Sequence, residues 1–415
     1  MRILILSNYY PPNTRGGYEL RCSETAVELA KRGHVVSVLT SRIASGVTAA
    51  TLDGVAVSYG LYLEANDGPF QTAIRFFLLR QRHDAENRFW VEALITEFQP
   101  DVVFVWGMWN VPKSVPYRAE ELIDDRIVYH ISDYWPALPS AYYQYWKSAS
   151  GRKVTVLPKI VIAHLALRQL KRIPEPVLKY RHPTCISQAL KGHLVAAGIP
   201  IHHADVLPSG IKIGDFRFVQ KTTTVNRLRV VYAGRLTKDK GLHTAVEAFL
   251  ILSRRMHSSF AFDVIGSGDE LYTAKLKEMA SSAEIPIRFL GGVDRQRMPK
   301  VLAGYDVLVF PSEWDEPFAR VVLEAMAVGL VVVGTATGGT KEVLVDGQTG
   351  LVFPAGNATA LANALERLRS DLALRRRLAE QGCKVVCSEF SHAKMVDRFE
   401  VYLKQVVSGL PCDGP

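Results

Sequence analysis

Cysteine is scarce in this chain, and acids are outnumbered. Cys22, Cys185, Cys383, Cys387 and Cys412 are an odd, scattered set. That argues against a disulfide framework and for a reducing compartment. Cys383 and Cys387 sit one helical turn apart, but no second pair follows at zinc-site spacing, so no metal is expected there. An Asp-x-Asp motif, which could hold a divalent cation, is also missing. Long apolar runs are lacking too. The longest uncharged one, near 325–334, is about half a membrane span. The opening MRILILS is too short for a signal peptide and soon meets Pro11-Pro12. These absences point to the cytoplasm, with room for peripheral contact at the inner membrane face.

The 50 basic residues exceed the 41 acids, for a formal charge of +9. The excess favours anionic partners such as nucleotides, phosphorylated lipids, a membrane surface or nucleic acid, without choosing among them. Hydrophobic residues are 48% and charged residues 22%, the balance of a folded protein. At 415 residues, two domains are expected.

Apolar patterning gives a strand at 2–6, a loop with Gly16-Gly17, a helix at 18–31 and a strand at 34–40. That is one βαβ unit, hence a parallel sheet. A helix over 71–98 and strands at 102–106 and 127–130 continue the theme. The second half repeats it, with strands at 228–232, 262–265, 287–290, 307–310, 331–333 and 350–353. Pro and Gly cluster at 208–214, where the domain boundary is placed. The expected domains are therefore 1–207 and 208–390, followed by a last helix within 391–415.

The stretch 141–183 carries Lys147, Arg152, Lys153, Lys159, Arg168, Lys171, Arg172, Lys179 and Arg181 against one acid, Glu175. It is either a solvated basic face or a docking surface for anionic lipid or an acidic acceptor. Nucleic acid is not favoured, because no nucleic-acid-binding motif accompanies the charge.

Four segments could carry chemistry. In 312–339, Glu316 precedes a helix expected to start near Phe318, and Glu324 lies about two turns in. The helix N-terminus favours an anion, and the carboxylates suit sugar or ribose hydroxyls. A surface acid and an unrelated helix glutamate remain the plain alternative. In VVYAGRLTKDKG, 230–241, a strand ends at Gly234, and Arg235 and Lys240 emerge beyond it. Two cations at a strand's carboxyl end suit a diphosphate, though solvated loop cations are as ordinary. Gly16 and Gly17 could let backbone amides approach phosphate, or form a simple turn. VIGSGDEL, 264–271, has Gly266 but Leu271 where a dinucleotide fingerprint needs a third glycine, so a nicotinamide site is not expected.

Taken together with NYYPPNTRGGYE, HISDYWP, VLPSGIKIGDF and FLGGV, these segments resemble the retaining glycosyltransferases of family 4, over nearly the whole chain. The resemblance implies the GT-B fold, two Rossmann-like α/β domains with parallel sheets facing across a cleft. The first would bind acceptor, the second a nucleotide diphosphate sugar, UDP more than GDP, and the last helix would return to the first domain. Arg235 and Lys240 would hold the diphosphate. Glu316 would contact the transferred sugar beside the amides of Phe318 and Ala319, and Glu324 the ribose. Gly16 and Gly17 would close on phosphate, Gly234 and Gly266 would line the donor site, and Gly291 and Val293 would flank the base. No metal or other cofactor is implied. Glycine loops at 16–17 and 338–339 could permit closure.

One segment departs from the pattern. Relatives read His-Asp-Tyr-Trp where this chain has Ser132-Asp133-Tyr134-Trp135. His130 could replace the missing histidine, or Asp133 could serve alone. Trp106, Trp109, Tyr134 and Trp135 could stack on sugars or sit in the core. The implied activity is hexosyl transfer, with retained configuration, to a glycan, lipid-linked or small-molecule acceptor. Rivals are a nucleotide-sugar epimerase on the same scaffold and a non-catalytic nucleotide-sugar binder.

Overall fold

The computed structural model describes residues 1–14, 16–64, 69–148, 156–173, 175–219, 227–255 and 259–410. The chain divides into two compact α/β units. Met1–Ile186, Leu190–Leu207 and Val396–Pro415 form the first, and Ser187–Ala189 with Pro208–Met395 the second.

The first unit runs β1 (Arg2–Ser7), α1 (Gly17–Lys31), β2 (Val35–Ser41), β3 (Ala49–Leu52), β4 (Val55–Leu61), α2 (Pro69–Ile74), α3 (Arg80–Phe98), β5 (Val102–Gly107), α4 (Ser114–Ile123) and β6 (Ile127–Ile131). Then come α5 (Ala141–Lys147), α6 (Val156–Leu170), β7 (His182–Cys185), α7 (Gln188–Ala196) and β8 (Asp205–Val206). The sheet order is β3-β4-β2-β1-β5-β6-β7-β8, and among these β3 alone runs antiparallel, against β4. β5 and β6 are buried along their whole length. Their unbroken runs VVFVWG and IVYHI are what a parallel strand covered on both faces requires.

Two features differ from expectation. The β3–β4 hairpin was not anticipated, although its Asp53-Gly54 turn, with both φ positive, is a strong short-range hairpin signal. The helix expected over 71–98 is interrupted by a π-helical segment, Arg75–Leu79. It turns Phe76 inward, 5.2 Å from Tyr142 and 6.0 Å from Trp146 between ring centroids, and leaves Phe77 and Leu78 exposed.

The second unit holds β9 (Leu228–Ala233), α8 (Leu242–Arg255), β10 (Phe260–Ile265), α9 (Glu270–Ala280), β11 (Ile287–Gly291), α10 (Met298–Leu302), β12 (Val307–Phe310) and α11 (Arg320–Ala327). β13 (Val331–Gly334), β14 (Gly350–Val352), α12 (Ala358–Ser370) and α13 (Leu372–Glu389) complete it. Its wholly parallel sheet has the order β11-β10-β9-β12-β13-β14, doubly wound, with the reversal between β9 and β12. The core packs Phe249 flat on Phe262, centroids 4.3 Å apart, under Leu242, Val246 and Leu252.

The last helix, α14, spans His392–Ser408 and belongs to the first unit from Val396 onward. There Phe399 lies 5.4 Å from both Phe104 and Trp106, and Arg32 reaches Asp397 at 2.7 Å and Glu400 at 2.9 Å. Lys404 and Arg32 hold the Glu400 carboxyl down to about 2.

The basic stretch is less naked than its sequence suggests. Lys179 and Arg181 both pair with Asp124, which arrives from the end of α4. Arg152 and Lys153 lie outside the described residues. No helix among the described residues is long and apolar enough to cross a membrane.

Candidate functional site

In the second unit the loops after β9 and β12 meet where the strand order reverses, the usual ligand position of an open parallel sheet. Tyr232 at the end of β9 donates its hydroxyl to the Arg235 carbonyl at 2.6 Å, which pins the exposed Arg235 beyond the strand. Burial lifts the Tyr232 hydroxyl far above its ordinary range, so it stays a donor. The chain then makes a 3-10 turn, Lys238–Lys240, closed by Gly241 at φ 63°. A Cβ at Gly241 would stand 2.0 Å from the Pro311 carbonyl oxygen, so only glycine lets the two loops approach this closely. Glu313 and Trp314 both donate their backbone N–H to the Asp239 carbonyl, at 2.9 and 3.1 Å.

This lacing brings Lys240 into contact with the Glu316 carboxylate. Ser312 donates to the same carboxylate oxygen at 2.9 Å. Both charged side chains are only 13% exposed. A pair so dehydrated is held by geometry, because each charge would be costly alone. The expectation of a free glycine hinge at 338–339 is corrected. Gly339 donates its N–H to the Glu316 carbonyl at 2.7 Å, and a Cβ at Gly338 would meet that carbonyl at 2.2 Å. These glycines clamp the Glu316 backbone.

The helix expected from near Phe318 starts at Arg320, because Ala319 is still extended at φ −87° and ψ 94°. Glu324 therefore lies little more than one turn in, not two. It is 3% exposed and accepts from Arg320 Nε at 2.9 Å, while Arg295, from the loop after β11, closes on the same oxygen. The carboxylate is thus held by two guanidinium groups, one from its own helix and one from 29 residues earlier in the chain. Phe318 and Ala319 are buried at the helix entrance, whereas Gly291 is exposed and Val293 half-buried after β11. Gly266, at φ 139°, packs on Gly234 so closely that a Cβ would sit 1.8 Å from the Gly234 oxygen.

In the first unit, Gly16 precedes α1 in extended backbone and Gly17 opens the helix. The first turn of α1 already carries a buried acid, Glu19, which takes up part of the positive helix end. Asp133, half-buried after β6, accepts the Trp135 N–H at 2.8 Å. Burial pushes its carboxyl up to about 6, against that hydrogen bond and with help from Glu19.

His130 does not share this position, and its candidacy on the acceptor side is corrected. It is 2% exposed, 4.8 Å from Trp106 and 4.7 Å from Phe399 between ring centroids, with Nδ1 3.0 Å from the Thr184 hydroxyl. Burial, then the charge of Arg21, drives its pKa down to about 3. It is a neutral core imidazole. Trp106 is likewise core, Tyr134 and Trp135 are buried, and Trp109 is 39% exposed. Cys383 and Cys387 lie 3.8 Å apart at sulfur on α13, and no group of three or more metal-ligating side chains occurs among the described residues.

Sequence reasoning missed Ser312, Arg295 and Arg320. Ser312 and Arg320 stand four residues from the glutamates they touch, a readable spacing. Arg295 carries no such signal.

The family match falls within this second unit. Residues 215–385 match the family described as glycosyl transferases group 1, and they contain Arg235, Lys240, Glu316 and Glu324. The lipopolysaccharide core biosynthesis glycosyltransferase LpsE of Rhizobium meliloti (strain 1021) is 33% identical over 172 residues, 41% of this chain and 48% of that protein. The chain thus spans about half the length of that relative. Glycogen synthase of Mycobacterium tuberculosis (strain ATCC 25618 / H37Rv) is 28% identical over 403 residues, 94% of this chain and 91% of that one. Among solved structures, Anabaena Alr3699/HepE in complex with UDP and glucose superposes with a TM-score of 0.70 at 18% identity, covering 98% of this chain and 100% of that one. The fold is therefore GT-B, built of two Rossmann-like α/β units, and residues 215–385 carry the pattern of glycosyl transferases group 1.

Proposed function

We propose that the protein is a metal-independent, retaining hexosyltransferase that uses a nucleotide diphosphate sugar, UDP more than GDP, to glycosylate an acceptor hydroxyl in glycan or cell-envelope synthesis. The observation that carries this reading is the buried contact of Lys240 with Glu316, in the loop that also carries Arg235, at the reversal point of the second sheet. A solved structure of the same fold was obtained with UDP and glucose, and curated relatives are named for lipopolysaccharide and glycogen synthesis.

Arg235 and Lys240 neutralise the diphosphate as it departs, an electrostatic task that cationic side chains can perform in place of a metal. Glu316 accepts hydrogen bonds from hydroxyls of the transferred sugar, with Phe318 and Ala319 amides at the helix entrance. Glu324 takes the ribose diol once Arg295 yields. Gly291 and Val293 border the base, and Gly234 and Gly266 keep the floor low. In the reaction, the bond from anomeric carbon to phosphate oxygen breaks and the acceptor oxygen bonds to that carbon on the same face. The acceptor proton passes to the departing phosphate oxygen. Asp133 orients the acceptor hydroxyl.

A panel of nucleotide sugars, read by thermal stabilisation and then by transfer to simple glycosides, tests the reading. Lys240→Ala should cut turnover by roughly a hundredfold or more. Nuclear magnetic resonance of the fresh product reports the anomeric configuration. Absence of stabilisation by any nucleotide or nucleotide sugar would end the proposal, as would normal turnover in the variant.

The same reading includes peripheral contact with anionic membrane through 141–183. Ile160 and Leu165 on α6 are 60% and 57% exposed, next to Lys159 and Arg168. Such a mixture of apolar and basic side chains suits a lipid interface. Replacing Lys171 and Arg172 by Glu should weaken binding to phosphatidylglycerol vesicles; unchanged binding removes this part.

A further inference from the structure

A cavity of about 440 Å³ lies wholly within the first unit. It opens beyond the carboxyl ends of β4, β5 and β6, with α3 as one wall, and β5 is one of the two strands between which the strand order reverses. Ligands of open α/β sheets bind at such a crevice, and the volume is within the range of small-molecule sites. Resting on the glycosyltransferase reading above, we propose that this cavity holds the acceptor, and that the acceptor presents an uncharged glycosyl residue there.

Charge is the first argument. Most of the cations in the wall already have acids. Arg88 pairs with Asp84 at 3.3 Å and Lys113 with Glu175 at 3.0 Å, while Arg80 stands in the field of Glu64. Lys171 is exposed at the lining. A phosphate would find most of its counter-charge spent, whereas a neutral ligand leaves these pairs intact.

The second argument is the kind of polar group offered. Glu64 is fixed from both sides, its backbone N–H donating to the Asn110 carbonyl at 2.8 Å and its Oε2 accepting the Ala141 N–H at 2.8 Å. Burial raises its carboxyl to about 7, so near neutrality it can both accept and donate, as a sugar hydroxyl does. Trp135 is 6% exposed, and its Nε1 has no hydrogen-bond partner among the described residues. A buried indole N–H ordinarily has a partner, and a ligand oxygen would supply one.

The third is the apolar surface. Trp109 is held by Asn8, whose side chain donates to its carbonyl at 3.1 Å, and by Asn110 in the left-handed region at φ 62°. Trp109 is 39% exposed and lines the cavity, so an indole is on offer to a ligand there. A pyranose ring, apolar on one face and hydroxylated at its rim, matches an aromatic plate beside hydrogen-bonding groups better than a lipid chain or an ionic metabolite does.

The test uses the full chain, with methyl α- and β-hexosides as uncharged probes and the matching hexose 6-phosphates as charged ones. Binding is read by saturation-transfer NMR. At least one methyl hexoside should bind, and no hexose phosphate should bind more tightly. Trp109→Ala and Glu64→Gln should each weaken that binding at least tenfold, while stabilisation by UDP stays at the wild-type level. The idea is overturned if no methyl hexoside binds, if the phosphates bind more tightly, or if both variants bind like wild type. Because Trp109 is 39% exposed, its variant should fold even if that at Glu64 does not. Failure of UDP to bind the wild-type protein would count against the donor reading alone.

Discussion

Lys240→Met separates what the Lys240–Glu316 pair does for folding from what it does for transfer. Both side chains are 13% exposed, and in the variant the Glu316 carboxylate keeps Ser312 but loses its cation. Removing one partner of a buried pair costs about 3–5 kcal/mol. The residual exposure lowers the expectation to about 2–3 kcal/mol. For a unit of this size, about 2–4 °C per kcal/mol gives a fall in Tm of roughly 4–12 °C. Glu316→Gln should cost less, because a neutral amide can still accept from Ser312. The double variant should be less destabilised than the sum of the singles by about 1–2 kcal/mol, the coupling of groups in contact. Turnover behaves differently, falling roughly a hundredfold or more in Lys240→Met through loss of a preorganised cation at the departing phosphate. Scanning calorimetry and initial rates on the four proteins close the cycle. The reasoning is refuted if the two substitutions add without coupling, or if Lys240→Met turns over normally.

Further outcomes follow from the same geometry. Gly266→Ala would place a methyl group 1.8 Å from the Gly234 oxygen at a φ of 139°, so Tm should fall by several degrees; a wild-type melt would disprove the close packing. His130 has a folded pKa of about 3 against an ordinary 6.5. The unfolded chain therefore binds more protons in that window, and stability present above 6.5 should drain away as pH falls toward 3. His130→Phe should flatten that slope in acid titrations, since the Thr184 hydroxyl keeps its bond to the Tyr129 carbonyl at 3.1 Å. Asp133, at about 6, loses its proton as pH rises through that value. If it orients the acceptor as a carboxylate, kcat/KM rises through pH 6 and Asp133→Asn abolishes the rise; an identical profile in both proteins would remove it from the acceptor side.

Much of the fold could be read along the chain, because buried parallel strands are short apolar runs whose meaning is local. VVFVWG, VLVF and VVVG are strands wherever a sheet is covered on both faces. What escaped was local structure that runs weakly or against pattern. β7 contains Pro183 and β8 is two residues long, so neither has a periodicity to detect. The π-helical segment at 75–79 rests on contacts from α5, 65 or more residues away.

The amino-acid order by itself settled the chemical types on offer near each strand end: Arg235 and Lys240 after one strand, Glu316 and Glu324 after another, and glycines where loops had to come close. Hydrophobic period and backbone sterics act over a few residues, so these were open to inspection. Only the tertiary structure decided which groups meet. It joined Lys240 to Glu316 across 76 positions, gave Glu324 to Arg295, sank His130 beneath Trp106 and Phe399, and matched Lys179 and Arg181 with Asp124. The physical reason is that charge pairing and dehydration are properties of distance in space. Two side chains exert them only after sheets and loops have brought them together and removed the water between them.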